Sequence, residues 1–308
     1  MKSEMFSYEK EPEMIESRFG DKEKIIEAMM TGDVVEIGSI DTIYSDIPTH
    51  ANEVDVDDVI WENANKILGV RIQKGENVIR CIFKPLNGEN PDAKQKAALT
   101  LDFKFYPREC AAYLISEHFD FDIIPPTVIR EVNGQIGALQ LFLDHDYFQN
   151  FSRLNSEKSK QAVQSDDWQT IAVLDWILVN CERHLENMMV RKENPREIAA
   201  IDHGIILCGS NYFEMALRGP SLQLTFDPKT KQAIKILIPE SLLIKIKSGF
   251  ERKADLENRL REIKDLNQEE INDMWKRIKQ LLLSKSFLSK INFAFVFGHE
   301  WLSDQYQN

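Results

Sequence analysis

Eight residues in the middle of the chain, NCERHLEN at 180–187, combine an acid, an Arg-His pair and an amide. Glu182 stands five residues before Asn187, so that one loop could present a carboxylate to a hydroxyl group and an amide to a metal ion. Asp202 follows a strand-like run, in the motif AIDHG. Phosphoryl transfer uses such groups, because the protein must clamp phosphates, hold Mg²⁺ and orient the acceptor hydroxyl.

The same residues also have ordinary structural interpretations. Asp202 could form a turn, Asn187 could be a loop residue, and Glu182 with Arg183 could form an exposed ion pair worth under about 1 kcal/mol. Oxygen ligands such as an amide and a carboxylate suit Mg²⁺, and all these residues follow an apolar helix. Their joint occurrence favours a metal-dependent phosphoryl-transfer site. Gly204 is expected to free the backbone to turn after the acid.

A lysine on a strand suits a phosphate clamp, because its charge is held on a rigid element. Lys84 ends the strand-like run VIRCIFKP, and Glu109 starts the one helix predicted in the first half of the chain. A glutamate on a helix behind the strand would keep the lysine aimed. A lone lysine at a strand end is usually solvated, but its combination with Glu109 favours a functional pair.

Other kinds of site have weaker support. The sequence contains no G-x-S-x-G motif and no P-loop, and EIGSID at 36–41 is a weak glycine-rich loop. His184 and His203 lack the spacing of a zinc pair. The formal net charge of -12 makes nucleic acid a poor partner. Exposed aromatic residues have no interleaved basic pattern for binding single strands.

Length and composition suit a globular protein with a sizeable core. The chain has 308 residues, of which 43% are hydrophobic and 29% charged, enough for one large domain or two lobes. The four cysteines are widely spaced, and Cys81, Cys110 and Cys208 lie in apolar runs, which predicts reduced core thiols in a cytosolic compartment. No apolar stretch of about 18 residues and no signal-like start are visible. We therefore expect a cytoplasmic protein without a membrane span, and delivery to another cell stays open.

The first half of the chain is rich in predicted strands. Residues 11–31 form polar helical pieces broken near Gly20, and then DVVEIGSIDTIY, KILGVRIQ and VIRCIFKP are β-branched runs typical of strands. KGEN at 74–77 is a hairpin turn signal. YPRECAAYLISEHF has helical spacing, and IIPPTVIREVNGQIGALQLFLD predicts two strands joined by a turn at Asn133-Gly134.

The second half is predicted to be helical. Residues 144–167 are polar without periodicity and are a candidate boundary or hinge, whether as a lid, an ordered insert or a linker. DWQTIAVLDWILVN should be a buried helix. The segment EEINDMWKRIKQLLL carries one apolar stripe, formed by Ile271, Met274, Ile278, Leu281 and Leu282. We expect an α+β protein with a helical extension (1–32), a strand-rich lobe with one helix (33–143) and a helical lobe (144–308), with a ligand between the lobes.

Four stretches together resemble the bacterial phosphatidylinositol 3-/4-kinase-like family. These atypical kinases belong to the protein-kinase-like superfamily, alongside lipid kinases and HipA-type kinases. The stretches are FKPLNGE, RECAAYLISEHFDFDIIPPTVIR, LDWILVNCERHLEN and AIDHG, and they span about 79–207. The resemblance implies a two-lobed protein-kinase-like fold, with a strand-rich N-lobe, a helical C-lobe and an ATP cleft between them.

Residue by residue, the resemblance implies an ATP site with Mg²⁺ or Mn²⁺. Lys84 would contact phosphate with Glu109 as its partner. Glu182 would be the catalytic acid, with Arg183 beside it among the catalytic residues. Asn187 and Asp202 would bind the metal. Residues 139–143 would form the hinge beside adenine, through Gln140, Leu141, Phe142 and Leu143. His203 stands where other kinases have Phe.

One departure from the family concerns the acid, which is usually Asp and here is Glu182. The longer side chain moves the carboxylate by roughly one bond length, and a misplacement of ~1 Å can cost about 100-fold in rate. The resemblance thus predicts nucleotide binding and leaves three outcomes: kinase activity, a pseudokinase that binds nucleotide or a partner without transfer, or transfer of AMP. A non-enzymatic helical interaction protein is a further alternative.

The acceptor is expected to be a protein hydroxyl rather than an inositol-type lipid or sugar. The negative net charge offers no broad basic face to an anionic membrane. A basic cluster at 229–235 could still serve a lipid headgroup, and an activator is a further potential partner.

Overall fold

The computed structural model describes residues 17–43, 65–96, 99–180, 182–208 and 235–288. Its N-terminal part contains five strands, β1 (Asp33–Gly38), β2 (Leu68–Lys74), β3 (Asn77–Pro85), β4 (Thr127–Val132) and β5 (Gln135–Leu141). They form an antiparallel sheet in the order β1-β2-β3-β5-β4. Four helices accompany them: α1 (Lys22–Thr31), α2 (Ile40–Ile43), α3 (Pro91–Lys96) and α4 (Tyr106–His118).

The sheet follows the two-residue periodicity of its strands. Val70 and Ile72 on β2 are fully buried, as are Cys81 and Phe83 on β3, because alternate side chains point to one face. The predicted hairpins are present. Lys74 pairs with Asn77 across a two-residue loop, and β4 joins β5 through Asn133 and Gly134 at φ +49° and +75°.

The first predicted strand is shorter than the sequence pattern suggested. β1 ends at Gly38, and DVVEIGSIDTIY continues as α2. The Ile43 N–H donates to the Ser39 carbonyl (3.0 Å), which closes a helical turn. A run of β-branched residues does not distinguish a strand from a short helix when the local backbone bonds favour the helix.

Two helices pack on the sheet and fix its position. Met29 of α1 is fully buried in the same apolar cluster as β2 and β3. Arg130 of β4 donates to the carbonyls of Met29 (2.7 Å) and Gly32 (2.6 Å), which ties the end of α1 to the sheet. The Cys110 thiol of α4 donates to the Thr127 carbonyl (3.7 Å).

The C-terminal part is mostly helical. Its helices are α5 (Ser156–Val163), α6 (Asp166–Leu178), α7 (Glu240–Glu251), α8 (Lys253–Arg261) and α9 (Gln268–Ser284). A three-stranded sheet contains β6 (Phe148–Asn150), β7 (Met188–Arg191) and β8 (Ile198–Ala200), and β9 (Lys235–Leu237) pairs with β10 (Ser286–Leu288). The α+β, two-lobed prediction is confirmed. Among the described helices, none combines the length and hydrophobicity needed to cross a membrane.

The polar stretch at 144–167 is ordered. It forms β6 and α5, and four of its apolar side chains are buried: Phe148, Phe151, Ala162 and Val163. These side chains are too widely spaced to give a periodic signal. The stretch is therefore an ordered connection between the lobes.

Two of the cysteines are core thiols, as predicted. Cys81 and Cys110 are buried, and burial raises the pKa of each thiol to about 12. Cys208 is only partly buried, which corrects the expectation drawn from its apolar run. Cys181 lies outside the described residues.

The packing of α7 against α4 gives a stability prediction. A Cβ at Gly249 would lie 2.2 Å from Cδ1 of Phe119, which is fully buried. Gly249→Ala would gain up to ~1 kcal/mol of helix propensity, but overpacking typically costs ~1–3 kcal/mol. We expect a net loss of about 1–2 kcal/mol in the free energy of unfolding, measured by urea denaturation. Ser248→Ala, at an exposed position of the same helix, should show no such loss. Equal stability of the two variants would contradict the prediction.

Candidate active site

The centre of the C-terminal lobe is organised around the buried guanidinium of Arg183. Its Nε and Nη2 donate to the two carboxylate oxygens of Asp175, each at 3.0 Å. Nη1 donates to the carbonyls of Asn187 (2.7 Å) and Ile201 (2.8 Å), and Nη2 lies 2.7 Å from Nε2 of His203. These contacts use all five donors of the guanidinium, as its burial requires.

The network gives Arg183 a positioning role. The Arg183 and Asp175 side chains are each only 3% exposed, so the pair is not the exposed ion pair of the ordinary interpretation. The sequence grouped Arg183 with the catalytic residues, but every N–H of its guanidinium already binds protein. It connects α6, the 182–187 loop and the end of β8.

The loop that follows α6 is pinned by side-chain amides. Asn180 Nδ2 donates to Asp175 Oδ1 (2.9 Å), and its Oδ1 accepts from the Glu182 N–H (3.0 Å). Asn187 Nδ2 donates to the Glu182 carbonyl (3.1 Å). The backbone of Glu182 is therefore held on both sides, and Oδ1 of Asn187 remains as an acceptor for a ligand.

Asp202 adopts an uncommon backbone conformation. Its φ of +60° lies in the left-handed region, where Asp is among the more tolerated residues. Gly204 has no positive φ, which corrects the expected reason for this glycine. A Cβ there would lie 3.0 Å from Cβ of Phe105. Gly204 therefore serves close packing against the segment that precedes α4, and the turn is made by Asp202 itself.

Lys84, Glu109 and Asp202 meet where the two lobes face each other. Lys84 Nζ lies 2.5 Å from Glu109 Oε1 and 2.9 Å from Asp202 Oδ1. The other oxygen of Glu109 accepts from the His203 N–H (3.0 Å). The structure thus brings together a strand residue, a helix residue and the AIDHG motif, three groups that the sequence predicted from separate stretches.

The charges in this triangle support each other. Burial by itself would lower the pKa of Lys84, but the Asp202 and Glu109 carboxylates outweigh this and raise it. The Lys84 ammonium holds the pKa of Asp202 well below its usual range. Burial raises the pKa of Glu109, and the Lys84 charge opposes that rise. Lys84 is a cation and Asp202 an anion at neutral pH.

Glu182 differs from Asp202 in its protonation. Glu182 as a whole residue is exposed. Partial burial of its carboxyl group, together with the negative charge of Asp202, nevertheless raises the pKa of Glu182 to about 7. Two acids whose environments separate their pKa values are a common basis for assigning acid and base roles. One carboxylate stays ionised here, and the other exchanges a proton near neutral pH.

Asn187 and Asp202 are suitably placed for a metal ion. The Ile201 N–H donates to the Asn187 carbonyl (3.1 Å), so the two candidate ligands lie on adjacent backbone segments. An amide oxygen and a half-exposed carboxylate suit Mg²⁺, which typically uses few protein ligands together with phosphates and water. Within the described residues no cluster of three or more His, Cys, Asp or Glu could hold a metal. The amide oxygen of Asn187 and the carboxylate of Asp202 are thus the groups here that could hold Mg²⁺.

Three of the predicted hinge residues, Gln140, Leu141 and Phe142, form hydrogen bonds with the N-terminal lobe. Gln140 is buried, and its amide donates to the Thr127 hydroxyl (2.9 Å), so its side chain belongs to the sheet. The N–H groups of Leu141 and Phe142 donate to the carbonyls of Pro126 (2.8 Å) and Arg80 (2.9 Å). These contacts attach the start of the hinge to the N-terminal lobe.

Leu143 joins an apolar cluster that the sequence did not predict. The cluster contains Phe19, Leu143, Phe148, Met189 and Ala199, with Leu141 and Ile201 packed against it. Met189 and Ala199 pair across β7 and β8, on the face opposite the main C-terminal core. Alternation along these short strands was the available signal. The cluster connects Leu141 and Leu143 of the hinge with Ile201, the residue before Asp202.

Asp175 is a member of the Arg183 network that the sequence analysis missed. It accepts from both Asn180 and Arg183, and it lies inside α6, whose other residues at 171–178 are apolar. A single acid in an otherwise apolar buried helix needs a buried partner. That was the signal, although it does not identify the partner.

Replacing Arg183 tests the central network. Arg183→Lys keeps the charge but cannot donate five bonds in the planar arrangement, and it leaves part of Asp175 unpaired. We expect a loss of about 2–4 kcal/mol in the free energy of unfolding, measured by urea denaturation. His184→Ala changes the exposed neighbour of Arg183 and should cost far less. Similar losses in both variants would show that the network does not hold the loop.

Comparison with known proteins gives a family match that covers most residues of the site. Residues 108–247 match the family model of phosphatidylinositol 3- and 4-kinase. A stretch of 72 residues is 33% identical to Protein Rv2133c of Mycobacterium tuberculosis (strain ATCC 25618 / H37Rv). That match spans 22% of this chain and 23% of the Mycobacterium protein.

Solved structures give weaker similarity. The structure of hydra Fam20 with sugar is 11% identical, with a TM-score of 0.48 over 86% of this chain and 88% of that chain. The Helicobacter pylori proinflammatory kinase CtkA is 13% identical, with a TM-score of 0.43 over 70% of this chain and 88% of that chain. The family match includes Glu109, the Arg183 network and Asp202, while Lys84 lies before it. Over residues 108–247 this chain is thus similar to phosphatidylinositol 3- and 4-kinases, in agreement with the resemblance of its motifs.

Proposed function

We propose that the protein is an ATP-dependent phosphotransferase that moves the γ-phosphoryl group of Mg-ATP to a hydroxyl group of a protein. The observation that carries this proposal is the triangle of Lys84, Glu109 and Asp202. Glu182 lies near this triangle, and the Asp202 charge contributes to the raised pKa of Glu182. The family match supports a kinase-type reaction for residues 108–247. Phosphoryl transfer depends mainly on positioning and charge, which these residues supply.

Each residue has a distinct role in this reaction. Lys84 binds the phosphates of the nucleotide, and Glu109 keeps its ammonium group aimed. Asn187 and Asp202 are the residues that would hold Mg²⁺ or Mn²⁺, which when bound neutralises charge on the phosphates. Without nucleotide, Lys84 and Asp202 neutralise each other. With nucleotide bound, Lys84 would pair with phosphate, and Asp202 would be free to hold the metal ion.

Glu182 acts on the acceptor hydroxyl. Its carboxylate accepts a hydrogen bond from the hydroxyl and takes the proton as the oxygen attacks the γ-phosphorus, and ADP leaves. A pKa of about 7 suits such a base near neutral pH. The apolar cluster around Leu143 and Met189 supplies a surface for the adenine ring.

A protein acceptor is favoured over a lipid by charge. The formal net charge of -12 disfavours approach to an anionic membrane surface. The basic stretch at 229–235 that could serve a headgroup lies almost entirely outside the described residues, so it adds no structural support for a lipid.

Transfer of label from γ-³²P-ATP tests the proposal. Purified protein with Mg²⁺ or Mn²⁺ is incubated alone, with a generic protein acceptor, and with mixed phosphoinositides. Asp202→Ala should lower labelling at least ~100-fold, because it removes charge stabilisation at the transferring group. Glu186→Gln, at an exposed position of the same loop, is the matched control and should keep full activity. The labelled species identifies the acceptor class.

Three results would contradict the proposal in different ways. ATP binding without labelling, with label appearing in Glu182→Asp, would identify a pseudokinase disarmed at its acid. Label from α-³²P-ATP but not from γ-³²P-ATP would identify an AMP transferase. Absence of both label and ATP binding would remove the nucleotide site altogether.

The proposed base also predicts a pH dependence. Because only the ionised Glu182 accepts a proton, kcat/KM should rise with pH and level off above about 7. Metal bound at Asp202 offsets the charge of that carboxylate, so the midpoint in the metal complex should lie at or below this value. The pH–rate profile from pH 5 to 9 measures it. Glu182→Gln should lose this limb along with most activity, and a wild-type rate flat across this range would exclude Glu182 as the base.

A further inference from the structure

Arg108, the residue before Glu109 on α4, makes a second buried network. Its side chain is 3% exposed, and Nη2 donates to Glu270 Oε1 of α9 (2.9 Å). Nη1 donates to the carbonyls of Ile206 (3.0 Å) and Leu207 (3.3 Å). The guanidinium also stacks over the ring of Phe103, 3.8 Å from its centroid.

Glu270 is also fixed by hydrogen bonds at the start of its own helix, independently of Arg108. It is the third residue of α9 and forms a capping box with Asn267. Its N–H donates to Asn267 Oδ1 (2.9 Å), and its Oε2 accepts from the Asn267 N–H (3.2 Å). The carboxylate is therefore fixed to the start of a long helix of the C-terminal lobe.

Arg108 and Glu109, which are adjacent on α4, thus both bind the backbone of residues 203–207. Glu109 accepts from the His203 N–H (3.0 Å), and Arg108 donates to two carbonyls a few residues further on. Since Glu109 also holds Lys84, a movement of α4 away from α9 would pull Glu109 from the His203 N–H and disturb its contact with Lys84.

We propose that Arg108 and Glu270 are positioning residues that lock α4 to the C-terminal lobe and keep Glu109 engaged with Lys84. The catalytic consequence rests on the proposed phosphotransfer, whereas the lock itself belongs to the fold. With the lock closed by groups of the chain itself, engagement of Lys84 requires no activator. This would account for the two partners being charged and yet almost fully buried, an arrangement that apolar residues could replace without loss of stability.

Three variants of the full chain separate positioning from general stability. Arg108→Lys keeps the charge but loses the planar set of donors. Glu270→Gln keeps the shape and an acceptor for the Asn267 N–H. Arg277→Lys is the matched control, because Arg277 is a buried arginine of the same helix whose Nε donates to the Ile177 carbonyl in α6 (2.9 Å).

Hydrogen exchange of the protein without nucleotide tests the lock independently of activity. In Arg108→Lys and Glu270→Gln we expect amides of α4 to exchange at least ~10-fold faster than in Arg277→Lys. The reason is that loss of the lock lets α4 open locally, and amide exchange measures such opening. Exchange in α4 no faster than in the control would overturn the proposal. If Arg108→Lys does not fold, Glu270→Gln alone decides the outcome.

Kinetics then test the consequence for Lys84. Both lock variants should lower kcat about 10- to 100-fold, as expected for a misplaced group, with KM for the protein acceptor unchanged. Arg277→Lys should lower only thermal stability. Faster exchange with unaltered kcat would mean that the lock does not serve Lys84, and the proposal would fail. Absence of activity in the wild type would contradict the proposed function, while the exchange result would still decide the lock.

Discussion

The fold around the site depends on one buried cation. Arg183 has five donors and little access to water, so five acceptors must be in place together. They come from α6, from the 182–187 loop, from the end of β8 and from His203. Leaving a buried polar group unpaired costs about 1–3 kcal/mol, more for a charged one, which makes assembly of these segments cooperative. Local flexibility in this loop would break several contacts at once.

His203 shows how the same network sets a protonation state. It is fully buried, and burial, with the Arg183 charge, lowers its pKa well below the usual range. Arg183 donates to Nε2, so Nε2 is the unprotonated nitrogen and Nδ1 carries the hydrogen. A neutral ring can accept from the guanidinium, whereas a cation would repel it. The motif therefore tolerates His at this position as a packed, uncharged ring, and the Asp202 carboxylate keeps Lys84 as its close partner.

Residue types and spacing predicted the elements of the site well, because hairpins, the α4 and α6 helices and the polar motifs are local signals. The pairings that give them geometry were not visible. Glu270 lies 162 residues from Arg108, and no local pattern links them. Gly204 was assigned a backbone role that Asp202 fills, since sequence does not distinguish a residue that must turn from one that must be small. The sequence left open whether 144–167 is a lid, an ordered insert or a linker for a similar reason, because its buried side chains follow tertiary neighbours rather than a period.

Glu182 replaces the Asp that is usual in the family, and the backbone that carries this acid is held in a fixed position. Both main-chain polar groups of Glu182 are bound, one by Asn180 and the other by Asn187, so the extra methylene changes only the reach of the side chain. Ordering a glutamate side chain costs at most about 2 kcal/mol, or about 30-fold in rate, which is less than the ~100-fold effect of a ~1 Å misplacement. Against this, a pKa of about 7 makes the longer acid a stronger base than an ordinary carboxylate. The loop geometry is thus independent of the acid, and the proposed phosphoryl transfer depends on the position that one flexible carboxylate adopts.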